Sequence, residues 1–261
     1  MASNHNHGSY FSLLWCLVLV TIVVARGSNS AEEEVSLDLY YESLCPYSAN
    51  FIANELATIF DNGLIDIVDL KLYPWGNAKI RGDNSINCQH GPLECLLNTV
   101  EACAIDAWPN VNEHFPFIYC VEKLVYQRKY LQWETCFEEL GLNPKPVTDC
   151  YTSGHGKELE LKYASATDSL EPPHEYVPWV VVDGQPLYEE YENFTSYICK
   201  AYKGPTPSAC GDLSTGNVLK QKTDHPHPVC YTEETGKMPF LRSILSSVKS
   251  WALWVIDRAG M

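Results

Sequence analysis

Four consecutive residues, Cys45-Pro46-Tyr47-Ser48, place a sulfur where a strand pattern gives way to a helix pattern. A thiol at a helix N-terminus sits beside unpaired backbone N–H groups and the positive end of the helix dipole. Both favour the thiolate, the nucleophilic form, and can lower the pKa from ~8.5 to ~3.5–7.5. Cys45 is therefore the candidate reactive sulfur, with thiolate attack on a disulfide as its chemistry. Pro46 suits the first helical position, where its missing N–H costs nothing. A structural disulfide is the other use of such a cysteine, and position alone leaves the two readings even.

Val177-Pro178-Trp179 tips the balance, because it sets a proline at the start of a strand far downstream. In thioredoxin-like folds a cis-proline at that place lies against the reactive cysteine and exposes its neighbour's backbone to an extended peptide. Pro178 is therefore expected to be cis and close to Cys45, with Val177 and Tyr47 as substrate-binding residues. An edge-strand proline in trans is the alternative.

Cys88-Gln89-His90-Gly91-Pro92-Leu93-Glu94-Cys95-Leu96-Leu97-Asn98, followed by Cys103, gathers sulfur and imidazole in one stretch. Zinc is one reading, but the spacings between these cysteines do not match the tight pairs of structural zinc sites. Together with Tyr40-Tyr41-Glu42-Ser43-Leu44-Cys45 and Pro172-Pro173-His174-Glu175-Tyr176-Val177-Pro178-Trp179-Val180, the stretch resembles the gamma-interferon-inducible lysosomal thiol reductase (GILT) family and its plant members. The middle block matches the family signature CQHGxxECxxNxxxxC at every fixed position, and the three blocks span about Val35 to Lys203. The resemblance implies a thioredoxin-like α/β fold, thiol–disulfide chemistry, no organic cofactor or metal, and structural disulfides for Cys88, Cys95 and Cys103. Gln89, His90 and Asn98 are then expected to brace an insertion.

The chain departs from the family at its reactive centre, where CxxC has become Cys45-x-x-Ser48. In a dithiol enzyme the second thiolate resolves the mixed disulfide formed by the first. Ser48 cannot do so, although its hydroxyl can donate a hydrogen bond to the Cys45 thiolate. Net reduction then needs an external thiol such as glutathione, or a third cysteine. Ten cysteines follow Cys16, so setting Cys45 aside leaves nine, which cannot all pair internally. Another cysteine is free, Cys45 has a partner, or an intermolecular bridge forms. Cys120, Cys136, Cys150, Cys199, Cys210 and Cys230 complete the candidates for structural disulfides, with Cys210 and Cys230, both in the tail, able to pair with each other.

The elements that must position these residues follow from hydrophobic period. Val35 to Tyr41 alternates as a strand, and Pro46 to about Phe60 carries Ile52, Leu56, Ile59 and Phe60 on one helical face. Leu64 to Tyr73 reads as a second strand, which completes a βαβ unit. Residues 74 to about 165 read as a mainly helical insertion stapled by disulfides. Tyr176 to Val182 is a strand, Asp183-Gly184 a turn, Pro186-Leu187-Tyr188 its paired strand, and Tyr191 to Lys203 a last helix.

The ends carry export signals rather than fold. Phe11 to Ala25 is an apolar run followed by small residues, so residues 1–30 read as a signal peptide, with a retained membrane anchor as the rival. Abundant cysteine and the acceptor Asn193-Phe194-Thr195 agree with a secretory route to the cell exterior, lysosome or vacuole. Residues 31–203 form the domain, and 204–261 an irregular tail. Its stripe from Phe240 to Asp257 is a helix docked on the protein, a membrane-surface helix or part of a propeptide. A net charge of −15 argues against nucleic-acid binding, since phosphate is repelled.

Disulfide-bonded proteins are the expected partners, and thiol–disulfide exchange through Cys45 the expected activity. The rivals are a non-catalytic protein that captures thiol-bearing clients and a structural secreted protein with Cys45 bridged.

Overall fold

The computed structural model describes residues 34–214 and 229–232. The signal segment and the Phe240–Asp257 stripe lie outside the described residues. Strand β1 (Val35–Tyr41) buries Val35, Leu37 and Leu39 on one face, as its alternation requires. Helix α1 (Pro46–Asn50) runs through a π-helical turn, Phe51–Leu56, into α2 (Thr58–Asp61). That winding buries Phe51, Ile52, Leu56 and Ile59. Gly63, at φ 78°, ends it.

Leu64–Ile67 forms a 3₁₀ turn, so β2 (Val68–Pro74) starts later than the alternation suggests. The turn itself carries Leu64 and Ile67 into the core, which is why those residues read as strand. β1 and β2 pair in parallel from Val35↔Val68 to Tyr41↔Pro74.

A small hairpin, β3 (Lys79–Ile80) with β4 (Ile86–Asn87), precedes the helices α3 (Pro92–Ala107), α4 (Val111–Tyr126), α5 (Thr135–Glu139), α6 (Lys145–Tyr151) and α7 (Gly154–Asp168). These helices hold a second core of Leu97, Val100, Phe117, Val121, Trp133, Phe137 and Val147. Cys103–Cys150 and Cys120–Cys136 staple it across 47 and 16 residues of chain. On loop-entropy grounds the two bridges stabilise it by about 4 and about 3 kcal/mol.

The stretch Tyr176 to Val182, expected as one strand, is divided at Pro178. β5 (Tyr176–Val177) and β6 (Trp179–Val182) belong to different sheets, because proline has no N–H to carry the ladder across. Asp183 and Gly184, at φ 49° and 74°, make the expected turn into β7 (Gln185–Pro186). Leu187 and Tyr188 leave that strand: the chain enters a 3₁₀ turn at Tyr188–Asn193 and then α8 (Phe194–Ala201), shorter than the expected last helix.

Among the described residues beyond Lys203, the chain forms α9 (Ser208–Ser214) and β8 (Cys230–Tyr231). Strand order in the main sheet is β2-β1-β6-β7, with only β6 running against the others. With a helix following β1 and a proline preceding β6, this is a thioredoxin-like α/β fold.

Candidate active site

Cys45 follows the turn Glu42-Ser43-Leu44, closed by a Cys45 N–H bond to the Glu42 carbonyl at 3.2 Å. It takes the N-cap place of α1 in extended conformation (φ −69°, ψ 115°), with Pro46 first in the helix. Its carbonyl accepts from Ala49 N–H at 3.0 Å, so the sulfur is carried at the helix end that concentrates free donors. The turn is clamped from α3: Asn98 Oδ1 accepts from Ser43 N–H at 3.0 Å, and Ser43 Oγ donates to the Glu94 carbonyl at 3.2 Å. Two signature residues, Asn98 and Glu94, thus brace the turn that carries Cys45.

Val177-Pro178 is a cis peptide, and the Val177 carbonyl lies 3.8 Å from Cys45 Sγ. Val177 and Cys45 are buried, whereas Tyr47 is 38% exposed at the rim. Ser48 is buried, and its Oγ has no hydrogen-bond partner among the described residues. The structure therefore brings Cys45, Val177 and Pro178 together across more than a hundred residues of sequence. Asn193 lies apart, half-buried before α8, with Phe194 of the same triplet in the core.

Cys45 is bridged to Cys230. The pairing of Cys210 with Cys230 that the tail suggested does not occur. Cys210 bonds Cys199, because α8 and α9 pack side by side, while Cys230 is carried onto the edge of β5. Cys88 bonds Cys95 and Cys103 bonds Cys150, so the cysteines weighed for zinc are divided between two bridges.

Gln89 and His90 brace the insertion, through Asn77 and Glu94, and also face the site. Gln89 Nε2 donates to the Tyr231 carbonyl at 2.8 Å, and His90 Nε2 lies 3.9 Å from Cys230 Sγ. The other imidazole nitrogen of His90 meets Glu42 Oε2 at 3.4 Å and makes a short contact to Glu94. Glu42 and then Glu94 hold the His90 pKa up to about 10, which keeps the ring cationic. Burial raises the Glu42 carboxyl, with His90 pulling the other way. Donor atoms of Glu42, His90 and Cys230 lie within 4.8 Å of one another. With Cys230 spent in a disulfide, the set is an ion-paired imidazole beside sulfur. The signal for Cys230 in the sequence was the odd cysteine count, which required some partner or free thiol.

Glu42 is fixed by Asn77 N–H, which donates to its Oε1 at 2.6 Å. Gly76 permits that approach. It adopts φ 57°, and a Cβ there would stand 2.3 Å from Glu42 Cγ. Gly76→Ala is expected to destabilise the fold by about 1–3 kcal/mol through strain and the displaced carboxylate. Chemical denaturation measures this, and an unchanged midpoint would contradict it.

Comparison with known proteins places this arrangement. The family model described as gamma interferon inducible lysosomal thiol reductase (GILT) matches residues 36–140. The chain is 42% identical over 207 residues to the gamma-interferon-responsive lysosomal thiol protein of Arabidopsis thaliana, covering 77% of this chain and 85% of that protein. It is 36% identical over 205 residues to the gamma-interferon-inducible lysosomal thiol reductase of Mus musculus, covering 76% of each. Among solved structures, reduced DsbA from Mycobacterium tuberculosis aligns over 72% of this chain and 92% of its own, with TM-score 0.49 and 13% identity. The chain belongs to the gamma-interferon-inducible lysosomal thiol reductase family and is a thiol–disulfide oxidoreductase.

Proposed function

We propose that the protein exchanges disulfides in protein clients through the Cys45 thiolate, by way of a Cys45–client mixed disulfide. The observation that carries this reading is the placement of the Cys45 sulfur at the start of α1 and against the Val177 carbonyl, beside cis Pro178. The helix end supplies donors and dipole that favour thiolate. Val177 offers backbone to an extended client segment, with Pro178 holding that edge and Tyr47 at the rim. The unpartnered Ser48 hydroxyl is available to the thiolate, and Ser48 cannot displace a client. A small external thiol such as glutathione supplies the reducing equivalents, with no metal or organic cofactor. The word lysosomal in the names of both relatives supports a lysosomal place of work.

The bridge to Cys230 favours one second reading, in which Cys45 is a purely structural cysteine. Iodoacetamide alkylation of the reduced protein against pH, with the labelled residue located by mass spectrometry, separates the two. A Cys45 midpoint in the range ~3.5–7.5 is expected. A midpoint at the value of an ordinary thiol, or no labelling without denaturant, sinks the catalytic reading.

A further inference from the structure

Residues 229–232 are seated as an added strand on the edge that a client would use. Tyr176 pairs with Tyr231 and Val177 with Cys230 in an antiparallel ladder. Thr232 N–H donates to the Glu175 carbonyl at 3.0 Å. On the other side Asn77 Nδ2 donates to the Cys230 carbonyl at 3.0 Å and Gln89 Nε2 to the Tyr231 carbonyl at 2.8 Å. This short segment is bonded along both edges and through its sulfur, which is the geometry of strand addition joined to a mixed disulfide.

We propose that Cys230 is the resolving thiol of Cys45, standing in for the sulfur absent at Ser48, and that β8 delivers it by competing with the client for the Val177 edge. The proposal rests on Cys45 being the attacking residue. His90 acts as a positioning residue: its imidazole, tied to Glu42 and Glu94, stands 3.9 Å from the Cys230 sulfur and favours its thiolate.

The steps balance. With the bridge reduced, the Cys45 thiolate attacks one sulfur of a client disulfide. The client S–S bond breaks, a Cys45–client bond forms, and one client sulfur leaves as thiolate and takes a proton. The Cys230 thiolate then attacks Cys45 Sγ. The mixed disulfide breaks, the second client sulfur leaves, and the Cys45–Cys230 bond seen in the structure forms. The client has gained two electrons and the cysteine pair has lost two. Two molecules of a small thiol restore the pair: the first opens the bridge as a mixed disulfide, and the second leaves with it as a symmetrical disulfide.

The test uses the full chain, reduced and freed of reductant, mixed with an excess of a fluorescent peptide disulfide dimer. Wild type is expected to release two peptide thiols per chain and, after acid quench, to yield the Cys45–Cys230 bridge by mass mapping. Cys230→Ser should release one thiol and keep the peptide on Cys45 for about a hundredfold longer. Release of both thiols by Cys230→Ser at the wild-type rate would overturn the proposal. So would wild type holding the peptide on Cys45 while Cys230 stays alkylatable, a measurement that needs no variant to fold. Absence of any Cys45 adduct in both chains would instead defeat the underlying Cys45 reading.

His90→Gln should slow bridge closure about tenfold at acidic pH and move the closure rate profile to higher pH, by more than any change in the rate of adduct formation. The charged groups facing Cys230 are His90 and Glu42, with Glu94 behind the imidazole and Glu175 just before β5. Asn77, Gln89 and the Tyr176–Tyr231 ring pair are neutral. An unmoved profile would remove His90 from the mechanism.

Discussion

Cys45→Ser is expected to lower glutathione-driven turnover of a peptide disulfide by about a thousandfold or more, because a serine hydroxyl is not ionised where the thiolate is and forms no mixed disulfide. The variant also loses the bridge to Cys230, which closes 185 residues of chain and on loop-entropy grounds stabilises by about 5 kcal/mol. Lost activity could then reflect lost structure, so the matched control is Cys230→Ser. That variant lacks the same bridge but keeps the attacking sulfur. With excess glutathione to resolve its adduct, it should retain measurable turnover while Cys45→Ser does not. Equal loss in both variants, with folding intact by circular dichroism, would break the assignment of Cys45 as the attacking residue.

Raising the pH from 6.5 to 8 should destabilise the protein, and Glu160→Gln should remove part of that slope. Glu160 is buried on α7, and burial holds its carboxyl up to about 8. In the unfolded chain the same group ionises near ~4.3. Between those values the folded state binds the proton that the unfolded state has released, so stability falls as pH rises. Over pH 6.5 to 8 Glu160 alone accounts for about 2 kcal/mol, or roughly 4–8 °C in Tm.

Glu101, raised by burial to about 7, and His90, held up to about 10 by Glu42 and Glu94, push in the same direction above pH 6.5. Burial lowers His174 to about 4 and also lowers His114, which opposes this slope only below the unfolded histidine pKa of ~6.5. Thermal melts of wild type and Glu160→Gln at pH 6.5 and 8 check the prediction. A flat wild-type profile, or an identical slope in the variant, would contradict it.

Local pattern carried the Cys45 turn and its scaffold. A strand period ending in Tyr41, a cysteine followed by Pro46, and a helical period through Phe60 are short-range facts, and backbone sterics turn them into the same elements whatever lies elsewhere. The turn at Asp183-Gly184 was legible for the same reason, because few residue pairs accept positive φ twice. Leu64 to Ile67 misled because a 3₁₀ turn buries apolar residues at spacings that a strand also shows. The family blocks brought Cys45 and Pro178 into one expected site, and the fold sets the Val177 carbonyl beside Cys45 Sγ.

Disulfide partnership was beyond the sequence, since pairing depends on which sulfurs the fold brings within a bond length. Odd cysteine parity required an exception without naming it, and nearness in the chain pointed to Cys210 and Cys230. Packing of α8 on α9 gave Cys210 to Cys199, and strand addition at Val177 gave Cys230 to Cys45. His90 and Gln89 changed meaning by the same route. Read along the chain they belong to the helical insertion, but β8 from the tail lies against them in the folded protein. Sequence alone determined where the Cys45 sulfur sits and which helix end carries it. Only the tertiary structure decided that this sulfur meets Cys230, and that Cys230 lies beside the His90 imidazole, because those neighbours are set by long-range packing.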